Sequence, residues 1–256
     1  MNLKNIRFTT IIVVIALLVI SLYAVTEVTY FSAKNNVESH NFTEPLLSIP
    51  SIDVNEVVNN VSISQGVYHD KGSYTPTKGD VVLFGHRTLQ GSAFLRLDDL
   101  HKGDCVTLQW PGIGEINYTI NDKNIVPASY RLNLNESHNK NINSQQIYLI
   151  TCHPIGSASE RLICVGNLNS TSLINESDMN YPNLEFYPWL ITLGFFIFGC
   201  VVSFLFRDKE DNINQVIILS VVILLTLALV VFILFPGSSQ FWANNLEWLN
   251  SLIGVN

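Results

Sequence analysis

Cys152 stands at the end of an apolar run, Ile147-Tyr-Leu-Ile-Thr151, and Arg161 opens a second, Leu162-Ile-Cys-Val165. A Pro/Gly/Ser turn joins the two runs. His86 follows a third run, Asp80-Val-Val-Leu-Phe84, after Gly85. A thiol is a weak nucleophile until a neighbouring base or cation favours its thiolate. A histidine within reach can take that proton and return it to a leaving amine. An arginine can hold a carbonyl and steady the oxyanion that develops on it. Each of the three residues sits at a strand end, where side chains from separate strands can converge on one rim. The set therefore fits nucleophilic acyl transfer. Plainer readings exist for each residue: a strand-end cysteine is commonly a small buried hydrophobe, and a histidine before a turn a hydrogen-bonded surface group. Spacing leaves both readings open.

Other chemistry-bearing residues fit less well. His153 neighbours Cys152, but successive strand residues face opposite ways, which takes it off the site. None of the four cysteines (Cys105, Cys152, Cys164 and Cys200) forms a C-x-x-C pair, which argues against a zinc site or a dithiol centre. Cys105 and Cys164 could pair in an oxidising compartment, though nothing in their strands makes them face each other. Cys200 lies within an apolar segment. His40, His69, His101 and His138 lack metal-ligand spacing, and Asp98, Asp99 and Asp104 are best explained as turn and cap residues. No metal or cofactor is expected. A net charge of -7 without clustered Lys or Arg argues against a nucleic-acid partner.

The elements that must position the three residues are short and strand-like. Candidate strands are Leu46-Ile49, Glu56-Ile63, Asp80-Phe84, Cys105-Trp110, Glu115-Val126, Ile147-Thr151 and Leu162-Asn167, broken by Gly, Pro, Asn and Asp. Pro111-Gly-Ile-Gly114 marks a turn, so its flanking strands should form a hairpin. Only Ala93 to Leu100 reads as briefly helical. Many short strands with almost no helix predict an all-β barrel or sandwich over residues 45–171.

Of the 256 residues, 48% are hydrophobic and only 14% charged, less charge than a soluble domain of this length usually carries. The excess apolar content sits in three blocks, each long enough to cross a bilayer. The first, 8–31, follows Lys4 and Arg7; an uncleaved anchor is preferred to a signal peptide because Leu22-Tyr-Ala24 is a poor cleavage site. The others are 187–206 and 216–235, joined by a charged turn, 207–215. Positive residues before the first block and in this turn place residues 1–7 and the turn in the cytoplasm, with residues 32–186 outside. Linkers are expected at 32–44 and 172–186. The tail, 236–256, spaces Trp242, Leu246, Leu249 and Ile253 as an interfacial helix would, with a frayed tail as the alternative. The N-x-S/T acceptor pattern occurs at Asn41, Asn60, Asn117, Asn135, Asn169 and Asn175, all in the predicted outside segment. The expected location is a multi-pass membrane protein whose β-domain is extracytoplasmic.

Two motifs sharpen the reading. Asp80-Val-Val-Leu-Phe-Gly-His-Arg-Thr88, continued by Phe94-Leu-Arg-Leu-Asp-Asp-Leu-His-Lys-Gly-Asp104, resembles the sortases. So does Leu149-Ile-Thr-Cys-His-Pro154 with Ser-Ala-Ser-Glu-Arg-Leu162. The order His, Cys, Arg is the family's order. The resemblance covers about 49–165 and is closest to the class D and class E types. It implies an eight-stranded β-barrel cysteine transpeptidase. Cys152 would attack the sorting signal of a secreted protein and form a thioacyl enzyme. His86 would be general acid and base, Arg161 would orient the signal and stabilise the oxyanion, and Thr151 would line the groove. An amine on a cell-wall polymer or protein subunit would then take the acyl group. The rival readings are a thiol protease on the same scaffold and a non-catalytic β-domain at the cell surface. Tyr148 departs from the family's usual Thr, and the segment 127–146, which shapes signal choice in the family, is Asn-rich here. Two C-terminal spans and the dense acceptor patterns are atypical of bacterial sortases and point to an archaeal or otherwise unusual source.

Overall fold

Apolar residues recur at every second position in the strand-forming runs, and that period sorts them onto two faces. The computed structural model describes residues 7–38, 44–88, 90–134, 145–173, 185–207 and 212–235. Its strands are Leu46–Ile49 (β1), Val54–Asn59 (β2), Val67–His69 (β3), Val81–Phe84 (β4), Cys105–Trp110 (β5), Gly114–Pro127 (β6), Gln146–His153 (β7) and Glu160–Ser172 (β8). They close into a barrel in the order β1-β2-β3-β4-β7-β8-β6-β5. The pairs β2–β3 and β4–β7 are parallel. The interior is one apolar cluster to which every strand contributes, the three-residue β3 through Val67 alone; Leu47, Leu83, Leu108, Tyr118, Leu149 and Leu162 are among its members.

The expected β5–β6 hairpin is present, with Trp110 opposite Gly114. Gly114 has φ +120, and a Cβ there would lie 2.2 Å from the Ser172 carbonyl oxygen, so no other residue fits. Two expectations differ from the structure. The run Glu56-Ile63 does not continue as a strand: Asn59 Oδ1 accepts from the Val61 and Ser62 amides, and its Nδ2 donates to the Val67 carbonyl. This side chain ends β2 and starts β3, which the sequence pattern did not separate. The stretch 93–100 makes i-to-i+3 bonds such as Asp99 N to Arg96 O, 2.9 Å, and forms only a short 3₁₀ turn at Leu97–Asp99. Phe94, fully buried, lies so close to Gly85 that a Cβ there would come within 2.6 Å of its ring. A glycine before His86 thus lets the following turn pack on β4.

The chain divides into two compact units, and the second is helical. Phe8–Glu38 (α1), Phe186–Leu205 (α2) and Ile213–Leu234 (α3) each contain a segment long and apolar enough to cross a membrane. α1 runs on into the stretch expected to be linker. Asn214 Oδ1, near the start of α3, accepts from the Arg7 amide (3.1 Å) and the Thr10 hydroxyl (2.9 Å) at the start of α1. Both helices therefore begin at the same end of the unit. At the other end, the Phe31 ring stacks on Tyr187 at the start of α2. Gly199 of α2 packs against Val222 of α3, where a Cβ would come within 2.5 Å, a close approach typical of helices in lipid. The predicted interfacial helix at 236–256 lies outside the described residues.

Candidate active site

The parallel pairing of β4 with β7 sets Phe84 level with Ile150. The Gly85 amide donates to the Ile150 carbonyl at 3.1 Å, and the Thr151 hydroxyl donates to the Gly85 carbonyl at 2.7 Å. Pairing therefore continues past the strand, and His86 falls level with Cys152. On the other side of β7, the antiparallel register puts Cys152 directly opposite Arg161 of β8. Three adjacent strands thus deliver the histidine, thiol and guanidinium to one barrel edge.

Alternation assigns their faces. Ile147, Leu149, Leu162 and Cys164 join the interior cluster. Tyr148, Ile150, Ile163 and Val165 form a separate apolar cluster with Val82 on the outer face. Cys152 and Arg161 share the parity of this outer set. Beside them runs a groove of about 300 Å³. Its floor is Val82, Phe84, Ile150 and Ile163, its wall Tyr130, Leu132 and Leu134, and Asp70, Arg131 and Arg161 add charge.

His86 is half-buried, and burial pushes its imidazole down to about 4, so at neutral pH it is an unprotonated base. Cys152 is half-buried; Cys164, in the core, is held as a thiol because burial pushes it up to about 12. Arg161 Nη1 donates to the Ala158 and Glu160 carbonyls, at 2.8 and 3.0 Å. This pins the turn between β7 and β8 while the guanidinium still borders the groove.

Thr151, expected in the groove, is instead on the inner face, 3% exposed, and acts on the Gly85 carbonyl. His153 is off the outer face, as alternation requires, and its Nδ1 lies 3.3 Å from Arg87 Nη1. Cys105 and Cys164 are both free, the former exposed and the latter buried. Asp98 ion-pairs with Arg87 at 2.6 Å. Burial works to raise the Asp98 carboxyl, but the bond and charge of Arg87 outweigh it and hold the group below the usual carboxylate range. Among the described residues no cluster of ligating side chains could hold a metal ion.

Sequence reasoning passed over Arg87 and the groove wall. The alternation in Arg131-Leu-Asn-Leu134 was the available signal for the wall, masked by the polar composition around it. Tyr148 is accounted for: its ring joins the outer apolar cluster, and its hydroxyl donates to Gln146 Oε1 at 2.7 Å. Asn60 and Asn169 are exposed. The Asn117 amide is engaged on the sheet surface, accepting from Thr107 and donating to Glu115. Asn41, Asn135 and Asn175 lie outside the described residues.

Comparison with known proteins bears on this arrangement. Residues 47–169 match the family described as Sortase domain. Among solved structures, the chain is similar to sortase A from Corynebacterium diphtheriae, with 23% identity and a TM-score of 0.43, covering 53% of this chain and 64% of that one. It is similar to a Clostridium perfringens sortase D5 transpeptidase, with 21% identity and a TM-score of 0.43, covering 54% and 86%. Sortase C1 from Streptococcus agalactiae shares 26% identity at a TM-score of 0.43, covering 51% and 69%. The chain therefore spans under two thirds of the length of the Corynebacterium protein. No curated protein sequence matches it.

Proposed function

The barrel of this chain, residues 47–169, is a sortase domain, and from that premise we propose that it is a membrane-anchored cysteine transpeptidase acting on secreted proteins that carry a sorting signal. The register that sets Cys152 opposite Arg161 and level with His86 carries this reading. The signal lies along the outer groove as an extended segment, its apolar side chains against Phe84, Ile150, Ile163 and Leu132. Neutral His86 takes the thiol proton as Cys152 Sγ bonds to the scissile carbonyl carbon. Arg161 donates to the oxyanion. His86 then gives the proton to the leaving nitrogen, the C–N bond breaks and a thioester remains. An amine from a cell-wall polymer or protein subunit attacks next and loses its proton to His86. The C–S bond breaks, the thiol is restored and a new amide forms.

Attaching or polymerising surface proteins follows from this chemistry if the domain stands outside the cell. The three apolar helices support membrane association. The joint start of α1 and α3 agrees with a topology in which residues 1–7 and 207–215 are cytoplasmic and 45–171 are outside. In that topology Asn60 and Asn169 are, among the described residues, the exposed N-glycan acceptors.

The test is to incubate the protein with a library of signal-like peptides and an amine, and to read covalent adducts and ligated product by mass spectrometry. The expected result is a thioester on Cys152 and a ligated product, both lost in Cys152→Ala. Hydrolysis without ligation in excess amine favours the thiol protease. An adduct that survives Cys152→Ala, or none with any peptide, favours a non-catalytic surface domain.

A further inference from the structure

Arg87 is 3% exposed, and its three nitrogens reach three residues on two segments, the stretch 93–100 and the end of β7. Nη2 meets Asp98 Oδ1 at 2.6 Å, Nε donates to the Leu95 carbonyl at 3.4 Å, and Nη1 lies 3.3 Å from His153 Nδ1. A buried guanidinium is costly to desolvate and persists where its partners are well placed. Its location is informative. Arg87 directly follows His86, and His153 directly follows Cys152. The backbone segments that carry the proposed base and the proposed nucleophile are therefore joined, one residue on, beneath the outer face. The bonds between Gly85 and β7 are the last before this point, and the contact of Arg87 with His153 adds a tie beyond them.

We infer that Arg87 and His153 are positioning residues, which fix the spacing of His86 and Cys152 through one hydrogen bond on the side away from substrate. This rests on the proposed function, since it assigns a role relative to that pair. An arginine can only donate. The contact therefore requires His153 Nδ1 to accept, which places the ring proton of the neutral imidazole on Nε2. Asp98 anchors the guanidinium from the 97–99 turn, and Lys123 Nζ donates to the Asp98 and Leu100 carbonyls and fixes that turn. The chain Lys123, turn, Asp98, Arg87, His153 thus runs from β6 to the residue after the nucleophile. Gly-His-Arg-Thr, Leu-Arg-Leu-Asp-Asp-Leu and Thr-Cys-His-Pro each supply one member of it.

The experiment uses the full-length chain and iodoacetamide, with the rate at Cys152 followed by peptide mapping as a function of pH. His86→Gln defines the shift in profile midpoint that follows from losing the base. His153→Leu removes the acceptor and should move the midpoint in the same direction, by about half a pH unit or more, with the melting temperature close to wild type. His153→Asn offers Oδ1 near the position of Nδ1 and should restore the wild-type midpoint. A merely structural role would lower the melting temperature of His153→Leu without moving the midpoint, and that outcome overturns the inference, as does failure of His153→Asn to restore it. Arg87→Met should match His153→Leu; because its fold is less assured, the His153 pair decides. If His86→Gln itself leaves the midpoint unmoved, the proposed pairing of His86 with Cys152 falls, and this inference with it.

Discussion

The two faces of β4, β7 and β8 are built from the same alternating strands yet meet different demands. The inner face belongs to a closed core in which Leu83, Ile147 and Leu149 are fully buried. The outer face carries a second, smaller apolar cluster that is itself buried but is flanked by the half-buried Phe84, Leu132 and Leu134 along a groove, and its row ends in Cys152 and Arg161. A closed apolar face contributes stability in proportion to the area it removes from water. An open one leaves part of that stabilisation to be gained when a ligand covers it. The contrast extends to polar groups. Inward, Thr151 and Arg87 are buried with partners, and they hold backbone. Outward, the Arg161 guanidinium is only partly engaged, by its own turn.

Substitutions can break this contrast. Leu149→Ala on the inner face should cost about 2–5 kcal/mol of stability, as large-to-small core changes do, read as a drop in urea midpoint. Leu132→Ala on the groove wall, where the side chain is only half-buried, should cost markedly less and appear instead as weaker peptide saturation. Equal stability losses would mean that this wall is core rather than groove. Arg161→Ala comes next, with turnover expected to fall about 10²–10³-fold in the ligation assay. An effect confined to KM would make Arg161 a binding residue only. The smallest expected effect is on pH dependence. Burial depresses His86 to about 4, so the unfolded chain binds a proton there that the folded chain does not. Stability contributed by neutral His86 is present above its unfolded value, near 6.5, and is lost as pH falls through about 4. The loss is at most about 3–4 kcal/mol, and His86→Gln should flatten that part of the denaturation-versus-pH curve. An unchanged curve would show that His86 titrates as an exposed group.

The barrel was legible wherever a strand alternated over several residues or met a glycine turn, as β4, β5, β6 and β7 do. β3 was not, because three residues carry no period and the turn before it is written in one side chain, Asn59. The stretch 93–100 has helical spacing, but it packs on Gly85 through Phe94 and is held to i-to-i+3 bonds. At the site, His86, Cys152 and Arg161 were legible as strand ends. Thr151 was misplaced when its role came from resemblance, although the alternation that put His153 off the site puts Thr151 there too. Arg87 was missed for a general reason: a charged residue beside a motif reads as solvent-exposed. Only the fold shows that Asp98, eleven residues on, lies against it. Tyr148 could not be explained until Gln146, two residues back on the same face, supplied an acceptor for its hydroxyl.

The bond between Thr10 and Asn214 joins residues 204 positions apart, with the whole barrel encoded between them. A ribosome adding about 5–20 residues per second needs roughly 10–40 s to cover that distance. During this interval the first helix has no Asn214 to meet, and the Thr10 hydroxyl waits for its acceptor. The helical unit therefore cannot close on this bond until the whole barrel segment has been synthesised.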